Sequence, residues 1–300
     1  MQPLVCGEVS PEGIELSVTH TNMSQALANP DVLVSEGSFA RHTKRISEGD
    51  HSWVGIPAFV RRGFAHRFWY VRRDAGYADF SSLAGKRIGT NEWAATGNTW
   101  ARAAAREQGA SIDEMSWVVG PIDGGAPSMT DPLPAYAEYV TSEKSPRQML
   151  LDGELDALEC PDPPEGFYDA DSEIVRLLPD YRTAETEYYK RVRVFPGLHI
   201  VLVRRSLFES DPWVARSLYA ALLESRKRWE KLRFEEADTS PWLQADLEET
   251  IDLMGVGWQE YGVDANRHMI DVFCSEMNAQ GQTARLVDGS ELFAEFEGTH

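Results

Sequence analysis

Short stretches of alternating apolar and polar residues predict β-strands through the first two thirds of the chain. Ile14, Leu16 and Val18 alternate with polar neighbours, which is the two-residue period of a half-buried strand. Further strands are predicted at residues 31–34, 54–59, 64–71, 86–90, 115–119, 199–203 and at the end of 152–158. Pro57 cannot donate a ladder hydrogen bond, so its strand should lie at a sheet edge or end there. Residues 199–203 are almost continuously apolar, as expected of a buried strand.

In the last third of the chain, apolar residues recur with the period of an α-helix. Val214, Leu218 and Leu222 recur four residues apart and form one apolar face. This helix should follow Asp211 as its cap, with Pro212 in the first turn, where its missing N–H costs nothing. Helices are also predicted at 42–46, 94–108, 148–151, 182–191, 243–254 and 266–279, a polar turn at 36–38 and a Pro- and Gly-rich loop at 120–134.

The central stretch, residues 85–109, combines a strand, a turn and a helix rich in Ala and Arg. Thr96 is the predicted N-cap, and Gly109 stands where a left-handed residue ends a helix. The free N–H groups around residues 90–96 and the positive helix end would suit a carboxylate or phosphate. The alternative is an ordinary strand–helix unit of an α/β domain without a ligand.

The order of these elements predicts an α/β protein of two lobes. Strands and helices come first, an αβ segment is inserted, an apolar strand returns, and helices close the chain. We predict lobe I from residues 1–77 and 195–300 and lobe II from residues 78–194. A ligand cleft is expected between the two lobes.

Composition and charge restrict the partners. The formal net charge of -19 argues against nucleic acid and against an anionic membrane surface, because both are bound through basic patches. A small anion remains compatible, since a local group of Arg and His can oppose the overall field. No apolar run approaches the roughly 20 residues that a membrane span needs. A homo-oligomer is compatible with the sequence.

The cysteines and the N-terminal residues bear on location. Cys6, Cys160 and Cys274 are far apart and odd in number, so they fit reduced thiols and show no metal-site spacing. No basic region or apolar core precedes Cys6, which argues against a lipoprotein processing site. A cytoplasmic location is therefore expected for the chain as given.

Seven short motifs follow one another in a characteristic order. They are PEGIEL at 11–16, IPAF at 56–59 with Phe64 and His66, GKRIGT at 85–90 with Glu92, DGELDAL at 152–158, LPDY at 178–181, FPGLH at 195–199 and DPWVA at 211–215. Together they resemble the 4,5-dihydroxyphthalate decarboxylase family over residues 11–293. The resemblance implies a type II periplasmic-binding-protein-like fold. It also implies a non-oxidative decarboxylase that converts a hydroxylated aromatic diacid to CO2 and a dihydroxybenzoate-type product.

The chain departs from the family pattern at a few positions. Asn91 replaces the proline that is usual beside Glu92, and Gly197 stands where a larger apolar residue is usual. The family has a strand before Pro11, most of which is missing from the sequence given. Either the protein continues upstream or one wall of the cleft is lost.

Decarboxylation of a phenolic ring needs a proton donor near the ring carbon, cations for the carboxylates and a group that polarises the phenol. His66 and His199 are the acid–base candidates. Glu36 and Glu92 could orient a histidine, accept a phenolic proton or destabilise the departing carboxylate. Arg62 could clamp a carboxylate through two contacts. We expect both histidines and Glu36 on one lobe, with Glu92 on the other.

Four further residues are candidates for substrate binding: Ser38, Thr90, Trp93 and Thr96. Each candidate has a structural alternative. The hydroxyl residues could be turn or cap residues, and Trp93 could pack with Trp100 in the core. The two histidines could be satisfied core residues, and Arg62 could be a solvated surface charge.

Two alternatives concern the chemistry as a whole. Two histidines and two glutamates could bind a divalent metal, but they are dispersed along the chain, so no cofactor is predicted. No motif of a nucleophilic serine or cysteine is present. The alternative to a decarboxylase is a non-catalytic solute-binding or ligand-sensing protein of the periplasmic-binding-protein class, again with a small aromatic carboxylate as ligand.

Overall fold

The computed structural model describes residues 1–126 and 131–299, and part of the predicted loop at 120–134 lies outside them. The strands are β1 Val34–Ser38, β2 Trp53–Arg62, β3 Trp69–Arg72, β4 Arg87–Thr90, β5 Ser116–Val119, β6 Ala137–Tyr139, β7 Ala157–Glu159, β8 Ile174–Arg176 and β9 Gly197–Arg204. The helices are α1 Gln2–Val5, α2 Met23–Ala28, α3 Phe39–Glu48, α4 Thr96–Glu107, α5 Pro146–Leu151, α6 Tyr181–Val192, α7 Arg205–Ser210, α8 Trp213–Glu235, α9 Leu243–Met254, α10 Val263–Ala279 and α11 Ala294–Glu297. The predicted α/β class is confirmed.

The chain forms two compact units. Unit 1 comprises Met1–Arg62, Gly197–Cys274 and Arg285–His300, and unit 2 comprises Gly63–Pro196 and Ser275–Ala284. No helix in the described part of the chain is long and apolar enough to cross a membrane.

Unit 1 is built on a three-stranded antiparallel sheet in the order β1-β9-β2. The apolar run of β9 lies in the centre of the sheet, as its composition predicts. Val201 and Val203 pack with Leu218 and Leu222 of the amphipathic helix α8. β2 is an edge strand, as Pro57 predicts, and its pairing with β9 is irregular between residues 56 and 61.

Unit 2 contains a six-stranded mixed sheet in the order β6-β5-β4-β7-β3-β8. The strands β6, β5, β4 and β7 run parallel, whereas β3 is antiparallel to both of its neighbours. Thr90 at the end of β4 pairs with Glu159 at the end of β7. Helix α4 begins shortly after β4, so the central strand–helix stretch of the sequence is confirmed.

Several predicted elements are wrong or displaced. Residues 14–18 form no regular strand, and Ile14 and Leu16 instead pack from an irregular segment against the core of unit 1. The predicted turn at 36–38 belongs to β1, because pairing with β9 satisfies its backbone. His66 lies in the 3-10 turn His66–Phe68, before the strand that begins at Trp69.

Two predicted helix caps are also wrong, whereas one is confirmed. The N-cap of α4 is Ala95 and that of α8 is Pro212, neither of which has a side-chain acceptor. Thr96 is the first residue of α4 instead. Gly109, just beyond α4, has φ +88°, the left-handed conformation that was expected there.

The unit boundaries differ from the predicted lobes in two longer segments and at residues 195 and 196, which lie in unit 2. Residues 63–77 lie in unit 2, since β3 pairs with β7 and β8 of that unit's sheet. Residues 275–284, the end of α10 and the segment after it, also lie in unit 2. There Gln280 accepts a hydrogen bond from Arg102, and Gln282 accepts one from Thr99.

Candidate functional site

Unit 1 brings Glu36 and His199 together on one face of its sheet. Ser38 of β1 is paired directly with His199 of β9, and Glu36 lies two residues earlier on the same face. The Nδ1 atom of His199 lies 2.5 Å from Oε1 of Glu36. Two candidates that are 163 residues apart in sequence therefore form a hydrogen-bonded pair.

The surroundings of this pair keep Glu36 ionised. The hydrogen bond with His199 lowers the pKa of Glu36 despite the opposing effect of burial, and the nearby positive charge of Arg61 lowers it further. Because a carboxylate only accepts hydrogen bonds, Nδ1 of His199 is the donor. The Nε2 atom, which makes no hydrogen bond with any described residue, is then the atom that can accept or deliver a proton.

Ser38 is beside the pair but serves the following helix. Its Oγ accepts a hydrogen bond from the backbone N–H of Arg41 at 3.3 Å, and the residue is the N-cap of α3. This is the cap role that the sequence left open as an alternative to substrate binding. A role for Ser38 toward a substrate stays a prediction.

Arg61 and Arg62 occupy different environments. Arg61 is exposed and lies opposite His199 in the β2–β9 pairing. Arg62 donates to the backbone carbonyl of Glu260 at 3.1 Å and to Oδ1 of Asn266, and its guanidinium lies 4.9 Å from the ring centre of Phe59. These contacts bind Arg62 to the residues around the start of α10 and give no support to its predicted role as a carboxylate clamp.

Burial lowers the pKa of Arg62 to about 10, which leaves it charged at neutral pH. The sequence prediction selected Arg62 and did not consider Arg61. The register of β2 on β9 shifts between these two residues, so alternation along a regular strand does not decide which face each side chain occupies.

His66 is a core residue of unit 2. It is 1% exposed, its ring centre lies 5.1 Å from that of Tyr188, and neither ring nitrogen has a hydrogen-bond partner in the part of the chain that the structure describes. Burial lowers its pKa to about 4. The expectation that His66 and His199 share one lobe is wrong, because His66 belongs to unit 2 and His199 to unit 1.

The buried neutral state of His66 predicts a pH effect on stability. Its pKa is about 4 in the folded chain and about 6.5 in an unfolded chain, so the unfolded state binds more protons between these values. The free energy of unfolding should therefore fall by up to about 3 kcal/mol as the pH drops from 6.5 to 4. His66→Gln should remove that part of the pH dependence and leave activity per folded molecule intact.

Urea unfolding at several pH values checks the His66 prediction. Glu159 and Glu185, whose pKa burial raises to about 7, act in the opposite direction, so the comparison is between the variant and the parent protein. His20→Gln removes an exposed histidine and is the control. Equal pH dependence in His66→Gln and the parent would contradict the prediction.

Unit 2 also holds a buried polar network that the sequence did not reveal. The hydroxyl of Thr90 donates to Oε2 of Glu159 at 2.6 Å, and Nη1 of Arg102 lies 3.2 Å from the same oxygen. Asn98 donates to Thr90, to Oδ1 of Asn91 and to the backbone carbonyl of residue 92. The only available signal was that Thr90 ends one predicted strand and that Glu159 directly follows another.

Burial is the largest influence on the pKa values of the two charged residues in this network. It raises the pKa of Glu159 to about 7 despite the opposing charge of Arg102, and it lowers the pKa of Arg102. The other oxygen of Glu159, Oε1, is buried and has no hydrogen-bond partner among the described residues.

The remaining candidates of unit 2 are integrated into its interior. Trp93 is 2% exposed, with the guanidinium of Arg102 4.1 Å from its ring centre, and Trp100 is 1% exposed. Both indoles are core residues, which is the structural alternative given for Trp93 in the sequence analysis. Thr90 and Thr96 are buried as well. Only Glu92 is partly exposed, and its role stays a prediction.

Cysteines and acidic residues show no metal centre in the described part of the chain. No group of three or more His, Cys, Asp or Glu side chains within residues 1–126 and 131–299 could hold a metal ion. All three cysteines are free, with Cys6 exposed and Cys160 and Cys274 buried.

Solved structures similar to this chain include proteins with periplasmic-binding-protein folds. The periplasmic aliphatic sulphonate binding protein of Escherichia coli has a TM-score of 0.48 at 12% identity, with 91% of this chain and 77% of that chain covered. The alkanesulfonate-binding protein of Xanthomonas axonopodis pv. citri has a TM-score of 0.49 at 12% identity, with 89% and 82% covered. No protein-family model matches the chain.

Two curated relatives are similar in sequence, and both are described as 4,5-dihydroxyphthalate decarboxylase. The protein of Comamonas testosteroni is 28% identical over 306 residues, which cover 98% of this chain and 92% of the relative. The protein of Pseudomonas putida is 29% identical over 199 residues, which cover 63% of this chain and 77% of the relative. The resemblance given by the seven motifs is confirmed.

Proposed function

We propose that this protein is a non-oxidative decarboxylase of a hydroxylated aromatic carboxylic acid, with a substrate like 4,5-dihydroxyphthalate. The proposal is supported by the two relatives of that description, one of which is similar over nearly the whole chain. The structural observation that carries it is the hydrogen-bonded pair of Glu36 and His199, whose Nε2 is available for proton transfer. Decarboxylation of a phenolic ring consumes one proton, and this pair can deliver it.

The proposed reaction begins with protonation of the ring. Nε2 of the His199 imidazolium gives its proton to the ring carbon that carries the carboxylate, while a ring hydroxyl, which has lost its proton to water and regains it in the product, supplies electron density as phenolate. The C–H bond forms first. The bond to the carboxylate carbon then breaks, its electron pair restores the aromatic ring, and CO2 leaves. His199 regains a proton from water, so one proton is consumed for each CO2 released.

Glu36 supports this step without taking part in bond changes on the ring. Its carboxylate accepts from Nδ1–H, fixes the orientation of the imidazole and stabilises the imidazolium. The low pKa of Glu36 keeps this negative charge in place across the neutral range. No step in this scheme needs a metal ion or an organic cofactor.

We also infer a cytoplasmic location, which the three free cysteines support. An exposed thiol such as that of Cys6 stays reduced in a reducing compartment. Release of free thiol under denaturing conditions from protein isolated without reductant would test it, since a disulfide-linked form of Cys6 would contradict it.

A panel of substrates tests the proposed function. We expect CO2 release from 4,5-dihydroxyphthalate, in which a hydroxyl is para to each carboxylate-bearing carbon. Phthalate, which lacks both hydroxyls, should release none, because no phenolate can stabilise the protonated ring. CO2 is followed by a coupled assay or by isotopic label. Tight binding of 4,5-dihydroxyphthalate without CO2 release would favour the solute-binding alternative instead.

A further inference from the structure

We propose that Arg61 is the residue that holds a carboxylate group of the substrate beside His199. This inference rests on the proposed function for the nature of the ligand, an aromatic acid with two neighbouring carboxylates. It assigns to Arg61 the role that the sequence suggested for its neighbour Arg62. It adds a residue that determines specificity to the pair that supplies the proton.

The strand register places Arg61 at the pair. β9 lies between β1 and β2, so His199 has Ser38 on one side and Arg61 on the other. Arg61 is the backbone partner of His199 in this pairing, between two register shifts of β2. Its charge lies near enough to the pair to lower the pKa of the Glu36 carboxylate.

Arg61 is available for a ligand. It is exposed, and its guanidinium makes no hydrogen bond or ion pair with any residue that the structure describes. Most other arginines of unit 1 are engaged: Arg62 with Glu260 and Asn266, Arg204 with the carbonyl of Val32, and Arg205 with Glu295. A planar guanidinium without a partner matches the geometry of a carboxylate through two parallel hydrogen bonds.

The charges at the site also favour an anion there. In the protonated state of His199, its positive charge is balanced by Glu36, with which it is hydrogen-bonded. Arg61 adds a further positive charge near this pair, although the chain as a whole carries -19. A dicarboxylate can place one group on Arg61, while the ring carbon of the adjacent carboxylate approaches Nε2 of His199. The carboxylate held by Arg61 is the one that stays on the product.

Binding of phthalate tests the proposal without requiring turnover. Phthalate has the two neighbouring carboxylates but lacks the hydroxyls that the reaction needs. Isothermal titration of the full chain should show phthalate binding that weakens about 10–100-fold in Arg61→Gln, the scale of one lost charge-assisted hydrogen-bonded contact. Arg61→Lys keeps the charge but not the two-pronged geometry. Its phthalate affinity should lie between those of the parent protein and Arg61→Gln. Lys227→Gln removes the same charge from the exposed surface of α8 and should bind like the parent.

Kinetics separates Arg61 from the proton-transfer pair. With 4,5-dihydroxyphthalate, Arg61→Gln should raise KM by a similar factor and change kcat only a few-fold, because the contact is made in the ground state as well. Unchanged phthalate affinity in Arg61→Gln, or an equal loss in Lys227→Gln, would overturn the proposal. Failure of the parent protein to bind phthalate at millimolar concentration would overturn it too. CO2 release by the parent protein tests the proposed function alone. The proposed function and the role of Arg61 can therefore fail separately.

Discussion

Replacing His199 by Gln should lower turnover of 4,5-dihydroxyphthalate by about 10²–10⁴-fold, the usual effect of losing a general acid. Gln retains a polar side chain of similar size, so the Tm and the phthalate affinity should stay near those of the parent protein. The loss should appear in kcat and not in KM. Steady-state CO2 release and thermal unfolding, measured on the same preparation, check both parts.

Two further variants are compared with His199→Gln, one that should lower kcat and one that serves as a control. Glu36→Gln removes the carboxylate that stabilises the imidazolium, so it should lower kcat in the same direction while the fold is retained. His20→Gln replaces an exposed histidine of unit 1 and should leave kcat unchanged. A folded His199→Gln variant with the parent's kcat would end the assignment of His199 as the proton donor.

Replacing Arg102 by Met should destabilise the protein by about 3–5 kcal/mol, the usual cost of removing one partner from a buried ion pair. Arg102 and Glu159 are both completely buried, and the guanidinium also donates to Gln280 and to the backbone carbonyl of Trp93. Without Arg102 these acceptors and Glu159 lose their main donor. Urea unfolding at neutral pH measures the loss.

The exposed pair of Arg87 and Glu138 supplies the control for this effect. These side chains are 41% and 69% exposed, and such pairs contribute little to stability, so Arg87→Met should cost less than about 1 kcal/mol. Adding Glu159→Gln to Arg102→Met should recover part of the loss, because a neutral amide replaces the uncompensated carboxyl. Equal losses in Arg102→Met and Arg87→Met would contradict the importance assigned to the buried pair.

The sequence predicted those parts of the site that depend on local pattern. The apolar run at 199–203 identified the central strand of unit 1, and Glu36 and His199 were selected for their chemistry. Their proximity follows from the pairing of β1 with β9, which no local pattern encodes. The resemblance to a family supplied the reason to consider these residues together.

The choice between Arg61 and Arg62 depended on an irregularity of β2. Pro57 has no N–H for the ladder, and its carbonyl accepts a hydrogen bond from Gly262 instead of pairing with β9. The register of β2 on β9 changes between residues 56 and 61 and again between Arg61 and Arg62. Alternation therefore does not show which arginine lies near His199, and it is the strand pairing, which no local pattern encodes, that places Arg61 opposite His199.

The buried network of unit 2 was beyond local prediction for a related reason. Thr90 and Glu159 are 69 residues apart in sequence and meet only because β4 and β7 are parallel neighbours. His66 was predicted to lie in a strand because an aromatic-rich segment without alternation fits a strand and a buried 3-10 turn equally well. In both cases tertiary packing, and not the local sequence, determined the environment.

The return of residues 275–284 to unit 2 has a consequence for biosynthesis. Arg102 obtains its partner Gln280 from a position 178 residues later in the chain. At about 5–20 residues per second, the ribosome delivers that partner roughly 10–35 s after Arg102 itself. During that interval Glu159 and the backbone carbonyl of Trp93 are the acceptors available to Arg102. The hydrogen-bond network of this unit can therefore be completed only after residues 275–284 have been made.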